Sequence, residues 1–221
     1  MKKPLIIALA VGVFLLAVWL IGSTTHTLEF YTISTTSNQP TYRPGDVVIA
    51  SKLAKPARNK FIVFKTKDNR EWVFRCIGMP GDIIEIKQTA LYVNNKLQDE
   101  PFAANEYFIH NTDLKKIAGF VAKNKNIVKP MSGDTLSVIT LTKPEVEAYH
   151  VSVSICSLSP GRINPNVFLD FRRWMYNEDN LGQITVPKDS YFVLGDSRHD
   201  AYDSRFFGYV NAADVISTVI K

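Results

Sequence analysis

Between Val47 and Ile77 the chain reads VVIASKLAKPARNKFIVFKTKDNREWVFRCI. Three short runs rich in β-branched and aromatic residues, Val47–Ala50, Phe61–Lys65 and Glu71–Ile77, are separated by Lys55-Pro56-Ala57-Arg58-Asn59 and Lys67-Asp68-Asn69-Arg70. Branched and aromatic side chains pack well on a pleated surface, and Pro, Asn and Asp supply the turns between such runs. The stretch therefore predicts a mainly β fold.

The same signals continue C-terminally. Met79-Pro80-Gly81-Asp82 reads as a turn, Ile83–Ile86 alternates, and Ala90–Val93 before Asn94-Asn95 forms one arm of a hairpin. The pattern then changes. Asp113 can cap a short helix running through Ala122, with Leu114, Ile117 and Val121 on one face. Thr142-Lys143-Pro144-Glu145 has capping-box spacing, and Val151, Val153 and Ile155 alternate like a strand. Strand signals return at Ile184–Val186, Tyr191–Leu194 and Tyr209–Ile220. The expected organisation is a β-rich core of residues 23–95 and 184–221, interrupted by a mixed α+β module over 96–183.

N-terminal to the quoted stretch, Tyr42-Arg43-Pro44-Gly45-Asp46 is a turn and Leu28–Ile33 can extend toward a run of hydroxyls, Ser34-Thr35-Thr36-Ser37-Asn38-Gln39-Pro40-Thr41. Pro40 lacks an N–H and restricts Gln39 to extended geometry, so the run ends in a loop that displays its side chains. Ser37 is the candidate nucleophile. Further upstream, Pro4 to Gly22 is an uncharged run of 19 residues. As a helix it would extend about 28 Å, close to the thickness of a bilayer's hydrocarbon core. It exceeds the apolar region of a secretory signal peptide and lacks a clear small-x-small site, so residues 1–22 are expected to be an uncleaved, single-pass transmembrane anchor. Lys2 and Lys3 precede the span and Gly22–Tyr42 holds no Lys or Arg, which places the N-terminus in the cytoplasm and the main domain outside.

The 221 residues are 46% hydrophobic and 21% charged, which suits one or two folded domains and excludes disorder. A net charge of +5, spread along the chain, implies no nucleic-acid surface. Cys76 and Cys156 lie far apart with no framework spacing, so free thiols are expected. Four scattered histidines and the absence of CxxC or HExxH predict no metal site, and no cofactor is expected.

Three blocks stand in order: Ser37-Asn38-Gln39-Pro40-Thr41, then Arg75-Cys76-Ile77-Gly78-Met79-Pro80-Gly81-Asp82, then Gly195-Asp196-Ser197-Arg198-His199-Asp200-Ala201-Tyr202-Asp203-Ser204-Arg205-Phe206-Phe207-Gly208. Together with the anchor they resemble the type I signal peptidases, the bacterial leader peptidase family. Its blocks read S-M-x-P-T, K-R-x-x-G-x-P-G-D and G-D-N-R-x-x-S-x-D-S-R-x-[WF]-G. The resemblance implies a signal-peptidase-like β-fold domain at the cell's inner (cytoplasmic) membrane, acting on the signal peptides of exported preproteins. Family members cleave with a Ser nucleophile and a neutral Lys as general base. A lysine ammonium accepts a proton only when desolvation lowers its pKa, so that dyad needs an apolar cradle.

By this resemblance Ser37 is the nucleophile position, and Thr35 carries the hydroxyl that helps stabilise the oxyanion. The general-base position before Arg75 is Phe74, and the position of the Ser that holds the Lys is Ala201. Both have lost their polar groups. Arg75 cannot substitute, because its guanidinium stays protonated. Arg75, Asp196, Asp203 and Arg205 match positions that brace the site by ion pairs. Asn38 and Ser197 depart from the family's Met and Asn, which bears on substrate seating and a turn.

Catalysis is thus expected to be severely impaired or absent, leaving a protein that binds signal peptides or modulates an active paralogous signal peptidase. The alternative is an active serine endopeptidase using a displaced base, for which His199, Lys52 and Lys65 are the candidates. Phe30, Tyr31 and Tyr42 flank the loop close to the anchor, where aromatic rings suit contact with membrane lipid.

Overall fold

The structure, a computed structural model, describes residues 3–24, 27–124, 127–131, 133, 135–168 and 177–221. It opens with helix α1 (Lys3–Thr24), whose side chains are described for residues 7–17. Among the described residues no helix is long and apolar enough to cross a membrane.

Six strands follow, β1 (Leu28–Thr32), β2 (Val47–Ser51), β3 (Phe61–Lys65), β4 (Glu71–Gly78), β5 (Ile83–Lys87) and β6 (Ala90–Val93), with a short β7 (Lys96–Leu97). The middle of the chain holds β8 (Ala104–His110), α2 (Asn111–Lys116), α3 (Ala118–Lys123), β9 (Val128–Pro130), β10 (Leu136–Thr142), α4 (Lys143–Tyr149) and β11 (Val153–Ile155). The chain ends with β12 (Leu181–Thr185), β13 (Ser190–Leu194), α5 (Ser204–Phe207), β14 (Val210–Asn211), a 3₁₀ turn over Ala212–Asp214 and β15 (Val215–Val219).

Three antiparallel sheets result. The largest has the order β1-β2-β15-β3-β4-β13-β14, the second β12-β5-β6-β7 and the third β11-β8-β10-β9. The protein is therefore mainly β, as the Val47–Ile77 stretch indicates. The third sheet lies wholly within the 96–183 interval, with its own core of Ile109, Ile117, Ile139, Leu141 and Val151. The two ends of that interval, β7 and β12, instead join the sheet of β5 and β6.

Two elements differ from the sequence pattern. The helix expected from Asp113 to Ala122 is broken at Ile117, which is buried in the module core with φ −109°. Gly119 just beyond it adds backbone freedom that a continuous helix would have to freeze. The run Tyr209–Ile220 is likewise interrupted by the 3₁₀ turn, where Asn211 Nδ2 donates to Asp214 Oδ2. By contrast, the capping box at α4 forms as spaced: Thr142 Oγ1 accepts from the Glu145 amide, and the Glu145 carboxylate accepts from the Thr142 N–H at 2.7 Å. Both cysteines are free, and burial pushes the Cys76 thiol up to about 12.

Candidate active site

The loop after β1 is folded back on itself. Gln39 N donates to Thr36 O and Tyr42 N to Asn38 O, each at 2.9 Å, so the hydroxyl run becomes a compact turn. Its partner is the turn that follows β13. Ser197 N donates to Ser37 O at 3.1 Å, Ser37 Oγ donates to the main-chain carbonyl of Asp200 at 3.1 Å, and Thr36 Oγ1 donates to the Asp200 carboxylate. Ser37 and Thr35 both line a cleft of about 690 Å³, walled by Trp72, Val73, Phe74 and Tyr202.

One edge of β4 forms the floor of this cleft. On one side β3 pairs with residues 71–75 of β4, whereas on the other β13 reaches only from Arg75 to Gly78. The outer edge at Glu71–Phe74 carries no strand among the described residues, which is the arrangement that accepts an extended peptide by strand addition. One acceptor on that edge is taken: Asn38 Nδ2 donates to Val73 O at 2.8 Å. Asn38 itself is buried, and its Oδ1 has no partner among the described residues.

Phe74, Ala201 and Ser37 converge around Gly195. A methyl group added at Gly195 would lie 2.3 Å from Ala201 Cβ, 2.6 Å from Ser37 O and 3.3 Å from Phe74 Cε1. Contacts that short admit only glycine. Phe74 is buried with Ala201, Ile62, Phe64, Cys76, Val193 and Val210, and its ring lies 6.1 Å from that of Trp72. On the Phe74 side the serine loop thus faces a packed apolar cluster; among the described residues, the carboxylate of Asp200 accepts from the neighbouring Thr36 and that of Glu71 lines the cleft.

The bracing ion pairs stand behind the cleft. Arg75 donates to Asp196 through two nitrogens at 2.7 and 2.6 Å, and its guanidinium is stacked between Phe61 and Phe102, 4.3 and 3.8 Å from the ring centres. Asp196 also accepts from Thr41 Oγ1, which ties the Ser34–Thr41 loop to the same pair. Asp203 takes two bonds from Arg205 at 2.8 Å and one from the Gly195 amide at 3.0 Å, fixing the turn on which Ala201 lies. Arg205 is fully buried and donates onward to Arg198 O at 2.6 Å. The bidentate forks hold their carboxylates in one geometry, which Lys in place of Arg would not do.

The displaced-base candidates lie elsewhere. His199 Nδ1 accepts from the Glu106 amide at 3.3 Å, and its Nε2 faces Asp179 Oδ1 at 3.1 Å, so both ring nitrogens are engaged. Lys52 pairs with Glu29 at 2.8 Å, beyond the end of β2 that faces Leu28. A strand's length, about 15 Å, separates it from the end near the hydroxyl loop. Lys65 is exposed opposite Glu71 in the β3–β4 pairing. Of the three flanking aromatics, Phe30 is exposed, whereas Tyr31 and Tyr42 pack against the core beneath β1 and β2. Asp200, Trp72, Tyr202 and Gly195 escape sequence reasoning. Asp200 receives the Ser37 hydroxyl through its peptide carbonyl, a group every residue carries.

A displayed serine thus stands in a cleft beside an open strand edge. Residues 5–220 match the family model described as signal peptidase, peptidase S26. Signal peptidase IB of Staphylococcus aureus (strain Mu50) is 29% identical over 226 residues, covering 99% of this chain and 89% of that protein. Signal peptidase I of Buchnera aphidicola subsp. Baizongia pistaciae is 25% identical over 228 residues, covering 87% and 68%. A crystal structure of a signal peptidase I from Enterococcus faecalis aligns over 76% of this chain and 98% of that one at 25% identity, with a TM-score of 0.37. The chain belongs to the signal peptidase family, peptidase S26.

Proposed function

We propose that this protein is a membrane-anchored member of the family that holds signal peptides of exported preproteins in the Ser37 cleft without cutting them. The observation that carries the reading is the surroundings of the serine. Its hydroxyl donates to the main-chain carbonyl of Asp200, which cannot serve as a base near neutral pH, and the ring of Phe74 on β4 is buried beside Gly195, against which the Ser37 carbonyl also packs. A general base contributes about 10² to 10⁴ fold, and members of a dyad that act as a unit contribute more, so turnover falls at least that far. Binding needs no base. The free edge of β4 and the cleft beside it support docking of an extended peptide through main-chain hydrogen bonds.

The apolar run Pro4–Gly22, within helix α1, is the anchor in this reading, with Lys2 and Lys3 on the cytoplasmic side and the β-domain outside. Phe30, exposed on the first strand after it, faces membrane lipid, and an active paralogous signal peptidase is a candidate partner. Retention of Ser37 and Thr35 on the cleft wall favours the second reading, an active peptidase with a base recruited on substrate binding.

The deciding experiment measures turnover and binding of an Ala-x-Ala signal peptide in detergent or lipid for the wild type and Ser37→Ala. The expected result is no product from either and equal binding by both. Product mapped after the second alanine, and lost in Ser37→Ala, would establish the second reading instead.

A further inference from the structure

The open edge of β4 offers fewer free groups than its length suggests. On the β3 side, Thr66 N donates to Arg70 O at 2.8 Å, Cys76 N donates to Lys60 O at 2.8 Å, and Asn59 N donates to Cys76 O at 2.7 Å. Main-chain groups of a strand point alternately to its two sides. Arg70, Trp72, Phe74 and Cys76 therefore turn theirs toward β3, and Glu71 and Val73 turn theirs outward. An extended ligand meets the N–H and carbonyl of Glu71 and the N–H of Val73. The Val73 carbonyl is already held by Asn38 Nδ2 at 2.8 Å.

Asn38 is not placed to step aside. It is only 2% exposed, and the main chain around it is pinned from both sides: Ser37 O accepts from Ser197 N at 3.1 Å, and Asn38 O accepts from Tyr42 N at 2.9 Å. A carboxamide carries the same donor and acceptor as a peptide group, so Nδ2 does for the Val73 carbonyl what the N–H of an added strand would do. The Oδ1 of the same amide is buried without a partner among the described residues, a cost in stability that an apolar side chain would avoid. The family's S-M-x-P-T block has such a side chain here, a methionine, which donates nothing to Val73. A local rule broken on the wall of a binding cleft points to a part in binding.

We infer that Asn38 is a specificity residue of the Ser37 cleft: its amide stands in for one ligand N–H, so the ligand residue facing the Val73 carbonyl needs no N–H of its own and can be proline. The inference rests on the proposed docking of signal peptides along β4. Either strand direction brings one ligand N–H to that carbonyl, and an N–H that shares the oxygen with Asn38 adds less than one that has it alone. Proline suits an edge strand in every respect but its missing donor, which Asn38 supplies. With methionine at position 38 the ligand alone would have to satisfy Val73, and proline would be rejected.

The test uses the full-length protein in lipid nanodiscs and fluorescent peptides ending at Ala-x-Ala, in which each main-chain N–H in turn is replaced by an ester oxygen. Affinities are compared for the wild type, Asn38→Met and Asn38→Leu. One ester is expected to cost about five- to tenfold in both variants and less than about twofold in the wild type. The weaker carbonyl of the ester itself cancels between the proteins. Proline at the same ligand position should bind the wild type and bind the variants at least about tenfold more weakly. A second measurement needs no variant: with ¹⁵N-labelled asparagine, the side-chain amide protons of Asn38 should stay protected from exchange when the peptide saturates the wild type. Identical ester profiles in all three proteins, or loss of that protection on binding, would overturn the role of Asn38 and leave peptide binding standing. Failure of the all-amide peptide to bind the wild type would remove the parent reading, and this one with it.

Discussion

At position 74 an aromatic ring occupies a pocket whose surroundings would suit an unprotonated amine. Ile62, Phe64, Val193 and Val210 would desolvate a lysine there and push its pKa toward neutrality. Phe74→Lys combined with Ala201→Ser is therefore expected to produce cleavage after Ala-x-Ala, detected by mass spectrometry of the products. Each single substitution should give far less, because the amine needs both its apolar cradle and a hydroxyl to hold it. The braces make a second prediction. Asp196→Ala leaves the Arg75 guanidinium buried without its carboxylate and should cost about 3 to 5 kcal/mol in urea denaturation. The two thiols make a third. Burial holds Cys76 as the protonated thiol, so alkylation at pH 8 should label the half-buried Cys156 first and reach Cys76 only on unfolding. At this scale sequence is informative where a side chain's chemistry does the work, as with Ser37, Arg75 and Asp203. It is silent where the main chain acts, as at Asp200, and at Gly195 it offers a motif position without the packing that excludes a side chain there.

Elements follow the same division. Strands of the core could be read because alternation and turn residues are local properties: Phe61–Lys65 and Ala90–Val93 have the same limits in sequence and structure. The break at Ile117 depends on that side chain reaching the module core, a tertiary fact that the helical spacing of Leu114, Ile117 and Val121 does not contain. The cap of α4 is local and was legible. Thr142→Ala removes an acceptor from the first helical turn and should lower stability by about 1 kcal/mol, measured as a shift in the denaturation midpoint with unchanged slope. Strand order was beyond reach of the sequence. That β15, the last strand, slips between β2 and β3 follows from which edges remain open once the hairpins have formed.

Across the whole molecule, an anchor proposed at one end of the chain and a module inserted in its middle serve one β-rich core. With the anchor in place the protein should stay in the membrane fraction through an alkaline carbonate wash, and a variant lacking residues 1–22 should leave it, as read by fractionation and immunoblot. The base of the module is stapled to the catalytic-type turn: Ala104 N donates to Asp196 O at 2.8 Å, Arg198 N to Ala104 O at 2.9 Å, and Glu100 grips Arg198 at 2.6 Å. Beyond that staple, among the described residues, single bonds such as those from Arg43 to Asn124 and from the Glu106 amide to His199 tie the module to the core. Evolution can therefore lengthen, shorten or replace the outer part of the module as if it were a tool head on a fixed handle. Relatives that keep the staple and exchange the rest would share one cleft while presenting different surfaces beside it.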